Sequence, residues 1–174
     1  MRAPRPLGFD PIAEATRQWD AHGWQDASLG MAMVTSVMRA HQVLLARVHA
    51  VLAPFELTFA QYEALMLLQF SRAGQLPLGK IGQRLQVHPA SVTNVIDRLE
   101  GKGFVERRPH PDDQRTTLAS VTRSGRAVAR RATVALNDQV FTQTGLPDRS
   151  LRSLVEVVTD LRRTTGDFAE STDL

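Results

Sequence analysis

Leu85-Gln86-Val87-His88-Pro89-Ala90-Ser91-Val92-Thr93-Asn94-Val95-Ile96-Asp97-Arg98-Leu99-Glu100 is the stretch on which the fold turns. Val92, Val95, Ile96 and Leu99 recur at intervals of three and four, so they share one face of a helix that opens at Pro89. The opposite face carries Ala90, Ser91, Thr93, Asn94, Asp97 and Arg98. Asn pairs with adenine, Arg with guanine, Ser and Thr with bases or phosphate, and Ala approaches a thymine methyl. Leu78, Ile81 and Leu85 form a short helical pattern just upstream, three or four residues away. Downstream, Gly101 and Gly103 end the helical run, and Phe104 to Arg108 alternate with period two. A polar turn at Pro109 to Asp113 leads to a Thr- and Leu-rich returning strand, Arg115 to Val121. Helix, tight turn, helix and hairpin make a winged helix-turn-helix, whose second helix fits the DNA major groove. For that helix alone, an ordinary amphipathic surface helix is the plain alternative.

Longer helices flank this unit. Asp10-Pro11 caps and opens a helix to about Asp20, with Trp19 and Trp24 near its end. From Ser28, the residues Leu29, Met33, Val37, His41, Leu44, Leu45, Val48 and Leu52 mark an amphipathic helix that Pro54 ends. Thr58 caps the next helix, which Gly74 stops, and Gln75 to Pro77 is expected to be a turn. Thr122 or Ser124 caps a helix through about Phe141. Gly145 and Pro147 break it before a last helix with Leu151, Leu154, Val155, Val158 and Leu161. The expected organisation is mainly α with a small β-hairpin wing: a disordered lead at 1–8, an extra N-terminal helix at 9–27, long dimerisation helices at 28–57 and 123–167, a winged lobe at 58–122 and a frayed tail at 168–174.

Composition narrows the function classes. The 174 residues, 43% hydrophobic, suit one domain with a real core. The absence of Cys excludes disulfides, thiol nucleophiles and Cys-bound zinc. The run from Lys80 to Arg131 holds 11 Lys/Arg against 5 Asp/Glu, a basic middle expected to face a polyanion. No run of about 18 consecutive apolar residues occurs, so a soluble, cytoplasmic protein without membrane contact is expected. His22, His41, His49, His88 and His110 show no metal-ligand spacing, and neither a GxSxG elbow nor a phosphate-binding Gly loop after a strand is present. No enzyme activity, catalytic residue, metal or cofactor is expected.

Read together and in order, three segments resemble the MarR-type transcription regulators, dimeric winged-helix proteins. They are Leu57 to Tyr62; Leu85 to Asn94 with Asp97 to Glu100 and Lys102 to Val105; and Asp113 to Arg115 with Val121-Thr122 and Gly125-Arg126. The resemblance runs from about Ser28 to Leu161. It implies a homodimer acting as a ligand-responsive repressor on a pseudopalindromic double-stranded DNA site. It also implies that Pro89, Ala90, Ser91, Thr93, Asn94 and Arg98 contact DNA from the second helix, and that Arg115 is a minor-groove arginine oriented by Asp113. His88 stands where the family usually has a Ser cap, and Asp112 and Gln114 stand where many members have arginines, so the wing is less basic than most.

Such proteins commonly bind small aromatic or phenolic effectors between the dimer helices and the lobe. Met38, His41, Phe55, Phe59, Tyr62 and Arg126 are the lining the resemblance implies, with core packing as the bland reading of each. The helix bearing Trp19 and Trp24 is similar to an extension in a urate-responsive branch, where a carboxylate and an arginine lie close by. Glu63 and Arg126 match that pair and would seat an anionic aromatic ligand, although Gln114 replaces an arginine of that branch. Two other readings stand beside this one. Gly79-Lys80-Ile81-Gly82 matches the GXXG clamp of RNA-binding KH folds, but it sits inside a helical run. A winged helix that serves as a protein-interaction module without binding DNA is the other, and a mobility assay separates it.

Overall fold

A computed structural model describes residues 7–111 and 113–168, with only the backbone at Gln114. Most of the expected lead and tail, Asp112 and the Gln114 side chain therefore lie outside the described residues. The elements are α1 (Pro11–Ala21), α2 (Gln25–Leu52) running into a 3-10 turn (Ala53–Phe55), α3 (Phe59–Phe70), β1 (Gln75–Pro77), α4 (Leu78–Leu85), α5 (Pro89–Gly101), β2 (Val105–His110), β3 (Asp113–Val121), α6 (Arg123–Leu136) ending in a π turn (Asn137–Phe141), and α7 (Asp148–Thr164).

Local chemistry sets most boundaries. Asp10 accepts from Ile12 N–H at 2.9 Å and starts α1. Thr58 and Gln61 form a reciprocal capping box at the start of α3, with bonds of 3.3 and 3.1 Å. Thr122, rather than Ser124, caps α6 by accepting from Gly125 N–H at 3.0 Å. The Ser124 hydroxyl donates instead to the Gly103 carbonyl. Only glycine fits at position 125, because a Cβ there would overlap the Phe104 carbonyl oxygen.

Two boundaries and one helix geometry depart from the sequence reading. Gln75–Pro77 is a strand rather than a turn. It pairs antiparallel with β3, Gln75 opposite Ser120 and Pro77 opposite Leu118, so the sheet order is β1-β3-β2. Three residues including a proline carry no periodicity; this strand exists only through its partner, at a sheet edge where proline is tolerated. Helix α2 starts at Gln25, earlier than Ser28 and without a side-chain cap; Ser28 is buried in its first turn, its hydroxyl donating to the Gln25 carbonyl at 3.1 Å. The end of α6 widens into a π turn, and Arg47 on α2 donates to the Gln139 carbonyl within it at 3.3 Å and to the Gln143 carbonyl just past it at 2.7 Å.

The core lies between α3, α4, α5, the sheet, α6 and the end of α2. Leu52, Leu65, Leu68, Ile81, Ile96, Leu99 and Leu136 are wholly buried there. Each such side chain contributes about 1.5–3 kcal/mol through burial. The outlying helices differ. Helix α7 buries no residue, and the first half of α2 leaves Leu29, Met33, Val34, Val37 and Met38 exposed. On length and composition alone, Gln25–Phe55 is apolar enough to cross a bilayer, with a mean hydropathy of 1.2 over 18 residues. No uninterrupted apolar run marks this stretch, because small and polar residues dilute it without making it hydrophilic.

Candidate DNA-binding interface

Helix α5 buries Val92, Ile96 and Leu99 and exposes Pro89, Ala90, Ser91, Thr93, Asn94, Asp97 and Arg98. Its first turn is capped by an imidazole: His88 Nδ1 accepts from Ala90 N–H at 3.2 Å. A ring nitrogen thus replaces the serine hydroxyl, and it can do so only with Nδ1 unprotonated. Asn94 and Arg98, one turn apart, are joined by an Nε to Oδ1 bond of 2.9 Å that holds both polar ends over the same patch. Thr93 turns its hydroxyl back to the Pro89 carbonyl at 3.2 Å, so that donor is spent within the helix.

One residue that the sequence reading passed over organises this face. Arg107, on β2, forms an ion pair with Asp97, lies 3.5 Å from the Glu100 carboxylate and donates to the Thr93 carbonyl at 3.3 Å. Its own N–H donates to Glu100 at 3.1 Å. The guanidinium therefore bolts the wing to α5 and neutralises two carboxylates on that helix. The signal was in the period-two pattern: Arg107 shares a strand face with Val105, which is buried, so it points at the helix.

The wing differs from expectation in one contact. Asp113 does not orient the Arg115 guanidinium. Its Oδ1 accepts from Arg115 N–H at 3.0 Å and its Oδ2 from the Thr116 hydroxyl at 2.7 Å. Those two donors, the hydroxyl foremost, hold its carboxyl below the usual carboxylate range. An acid two residues before the arginine reaches the turn backbone first, as Asx turns do. Arg115 stays exposed, with no ion pair among the described residues. It lines a cleft of about 660 Å³ with Lys80 and Gln83 of α4 and with Thr116 and Thr117. From sequence, Lys80 entered only through the GXXG match, because nothing local ties α4 to the wing.

The residues assigned to an effector separate in space. Phe59, Tyr62 and Glu63 line one groove of about 430 Å³ with Met66, Leu67, Phe70, Leu85, Thr133 and Phe141. The Phe59 and Tyr62 rings stack at 6.3 Å, and the Tyr62 hydroxyl bonds Thr133 at 3.0 Å. The other assigned residues are not in this groove. Trp19 packs edge-on against Trp24 at 5.2 Å, where α1 folds back on α2. Met38 and His41 stand exposed on α2. Phe55 lies beneath the Arg131 guanidinium in a separate cleft. Arg126 presses its guanidinium against Gly74 and makes no ion pair with Glu63. The expected pair is not formed: the space a side chain would fill at Gly74 is taken by the Arg126 guanidinium. Burial, with no cation beside it, pushes the Glu63 carboxyl up.

Comparison with known proteins agrees with this architecture. The MarR family model matches residues 57–117. An uncharacterized HTH-type transcriptional regulator of Mycobacterium bovis is 33% identical over 136 residues, covering 78% of this chain and 91% of its own length. Sco5413, a MarR family transcriptional regulator from Streptomyces coelicolor, is 47% identical with a TM-score of 0.74, covering 81% of this chain and 98% of that one. A mutant MarR from E. coli complexed with operator DNA shares the fold at 21% identity, with a TM-score of 0.70 and coverage of 78% and 96%. With a relative matched over nearly its whole length and the winged helix in place, the chain belongs to the MarR family of transcriptional regulators.

Proposed function

We propose that this regulator acts as a homodimeric repressor on a pseudopalindromic operator, with Asn94 and Arg98 reading base edges, and Pro89, Ala90, Ser91 and Thr93 packing against the groove wall. Arg115 supplies the minor-groove or phosphate contact, and Asp113 shapes the wing backbone that presents it. The observation that carries this reading is the exposed Asn94–Arg98 couple on a helix whose carboxylates are taken up by Arg107. Bidentate contacts of this kind discriminate bases by about 1–3 kcal/mol each.

The dimer follows from what the single chain leaves in water. Leu29, Met33 and Val37 on α2, with Leu154, Val157 and Leu161 on α7, are exposed at helical spacing. Apolar patches beyond a few hundred Å² generally mark partners. A second copy is the cover that fits, because Arg39 and His41 interrupt α2 and Arg47 is engaged with its own π turn. In this arrangement 28–57 and 123–167 form the dimer stem and 58–122 the DNA-binding lobes. Two-fold symmetry sets the recognition helices roughly 34 Å apart. Such a protein works in the cytoplasm, where the DNA is.

A small aromatic effector completes the reading, seated in the groove lined by Phe59, Tyr62 and Glu63. This groove joins α3, the end of α4 and the π turn that Arg47 ties to α2. A ligand there changes lobe spacing only if it favours one spacing over another. One neighbour of the same fold, BpsR of Bordetella bronchiseptica, is described as regulated in DNA binding by 6-hydroxynicotinic acid. Selection of bound fragments from genomic DNA, followed by footprinting with wild type and Asn94→Ala, tests the proposal. It predicts two protected half-sites one turn apart. A protein-interaction module would select no sequence.

A further inference from the structure

We propose that the effector groove takes a lipophilic cation, an aromatic body carrying a protonated amine, with the Glu63 carboxylate as its counter-ion. This rests on the effector reading above and reverses the charge that the sequence suggested. The walls of the groove supply the body's site: the stacked rings of Phe59 and Tyr62, Phe141 from the π turn and the Met66 thioether. Aromatic faces also attract cations directly. Among the described residues, Glu63 is the one charged side chain that lines the groove.

Glu63 has neither an ion pair nor a side-chain hydrogen bond among the described residues. Four basic groups of the surrounding elements are engaged elsewhere. Arg126 lies on Gly74, Arg131 covers Phe55, Arg47 binds the carbonyls of Gln139 and Gln143, and Lys102 reaches the Glu56 carbonyl. A half-buried carboxylate against apolar walls has lost part of its hydration without gaining a partner, so an incoming cation restores what burial removed. A carboxylate or phenolate ligand would meet like charge at Glu63, and among the described residues no arginine lines the groove to receive it.

Three probes of one shape separate the possibilities: 2-naphthylmethylamine, 2-naphthylmethanol and 2-naphthoate, titrated calorimetrically into the full-length protein. The amine is expected to bind at least tenfold more tightly than the alcohol, and the naphthoate most weakly. In Glu63→Gln, which keeps the shape of the side chain, the amine's advantage over the alcohol should fall to within about twofold. Phe59→Ala should weaken all three probes together, since it removes shared wall. Tighter binding of naphthoate or of the alcohol, or an amine preference that survives Glu63→Gln, overturns the cation assignment while leaving the groove an effector site. No binding of any probe at millimolar concentration removes the effector reading itself, and the cation assignment with it.

Discussion

Replacing Arg107 with Met keeps most of the aliphatic stem and removes the guanidinium that joins the wing to the recognition helix. The side chain is only 26% exposed, whereas Asp97 and Glu100 are 53% and 41% exposed, so solvent screens the pairs substantially. Exposed ion pairs contribute about 0.2–1 kcal/mol each, and the bond to the Thr93 carbonyl adds roughly 1 kcal/mol. Against this, the Arg107 Nε is buried without an acceptor, which costs on the order of 1 kcal/mol. The net expectation is a loss of about 1–2 kcal/mol in urea unfolding at fixed protomer concentration, with unchanged m. Operator affinity should fall further, because Asp97 and Glu100 become uncompensated charges near phosphate. At a separation of roughly 8 Å in high dielectric, each adds about 0.5 kcal/mol of repulsion, together about a fivefold loss. The double variant Arg107→Met/Asp97→Asn should recover part of that affinity without recovering stability. Equal unfolding midpoints for wild type and Arg107→Met, or no recovery in the double variant, would refute the role given to Arg107.

Other outcomes follow from single contacts. His88→Ala should cost about 1 kcal/mol through loss of the α5 cap, and His88→Ser should restore it, both read by urea unfolding. Leu65→Ala, at a wholly buried site, should cost about 2–5 kcal/mol. The Glu63 carboxyl is raised by burial, so its contribution is stabilising while protonated, below the ordinary value of 4.5, and is lost as pH rises through the folded-state value. Glu63→Gln should therefore raise the melting temperature at pH 7 and leave it nearly unchanged at pH 4. Asp113 behaves in the opposite sense. Its lowered pKa means that the wing contact is intact above 3.8 and is lost as pH falls through the depressed value, so the Arg115 amide should lose hydrogen-exchange protection only in strong acid.

Elements defined by local chemistry were legible in the sequence. Asp10, Thr58 and Thr122 cap the helices where spacing placed them, and of the inward stripe Val92, Ile96 and Leu99 are buried while Val95 is half-buried against the core. What escaped depends on contacts between distant segments. The β1 strand is made by its register with Ser120 to Leu118, and the π turn accompanies bonds from Arg47, more than ninety residues away. The site divides in the same way. The exposed face of α5 could be read from one helix, but side-chain pairings could not: a sequence match between Glu63 and Arg126 does not reveal that Arg126 rests on Gly74. Nor does the spacing of Asp113 and Arg115 show that the carboxylate serves the backbone.

The central claim is that α5 reads DNA sequence as one half of a two-fold pair. Its most direct measurement is the affinity of wild type, Asn94→Ala and Arg98→Ala for a selected operator and for every single-base variant of it, at constant salt. The account predicts that each substitution costs about 1–3 kcal/mol and removes discrimination at specific base pairs, placed symmetrically in two half-sites one helical turn apart. Equal affinity of the wild type for the operator and a scrambled duplex, or a loss spread evenly over all sequences in the variants, would contradict it.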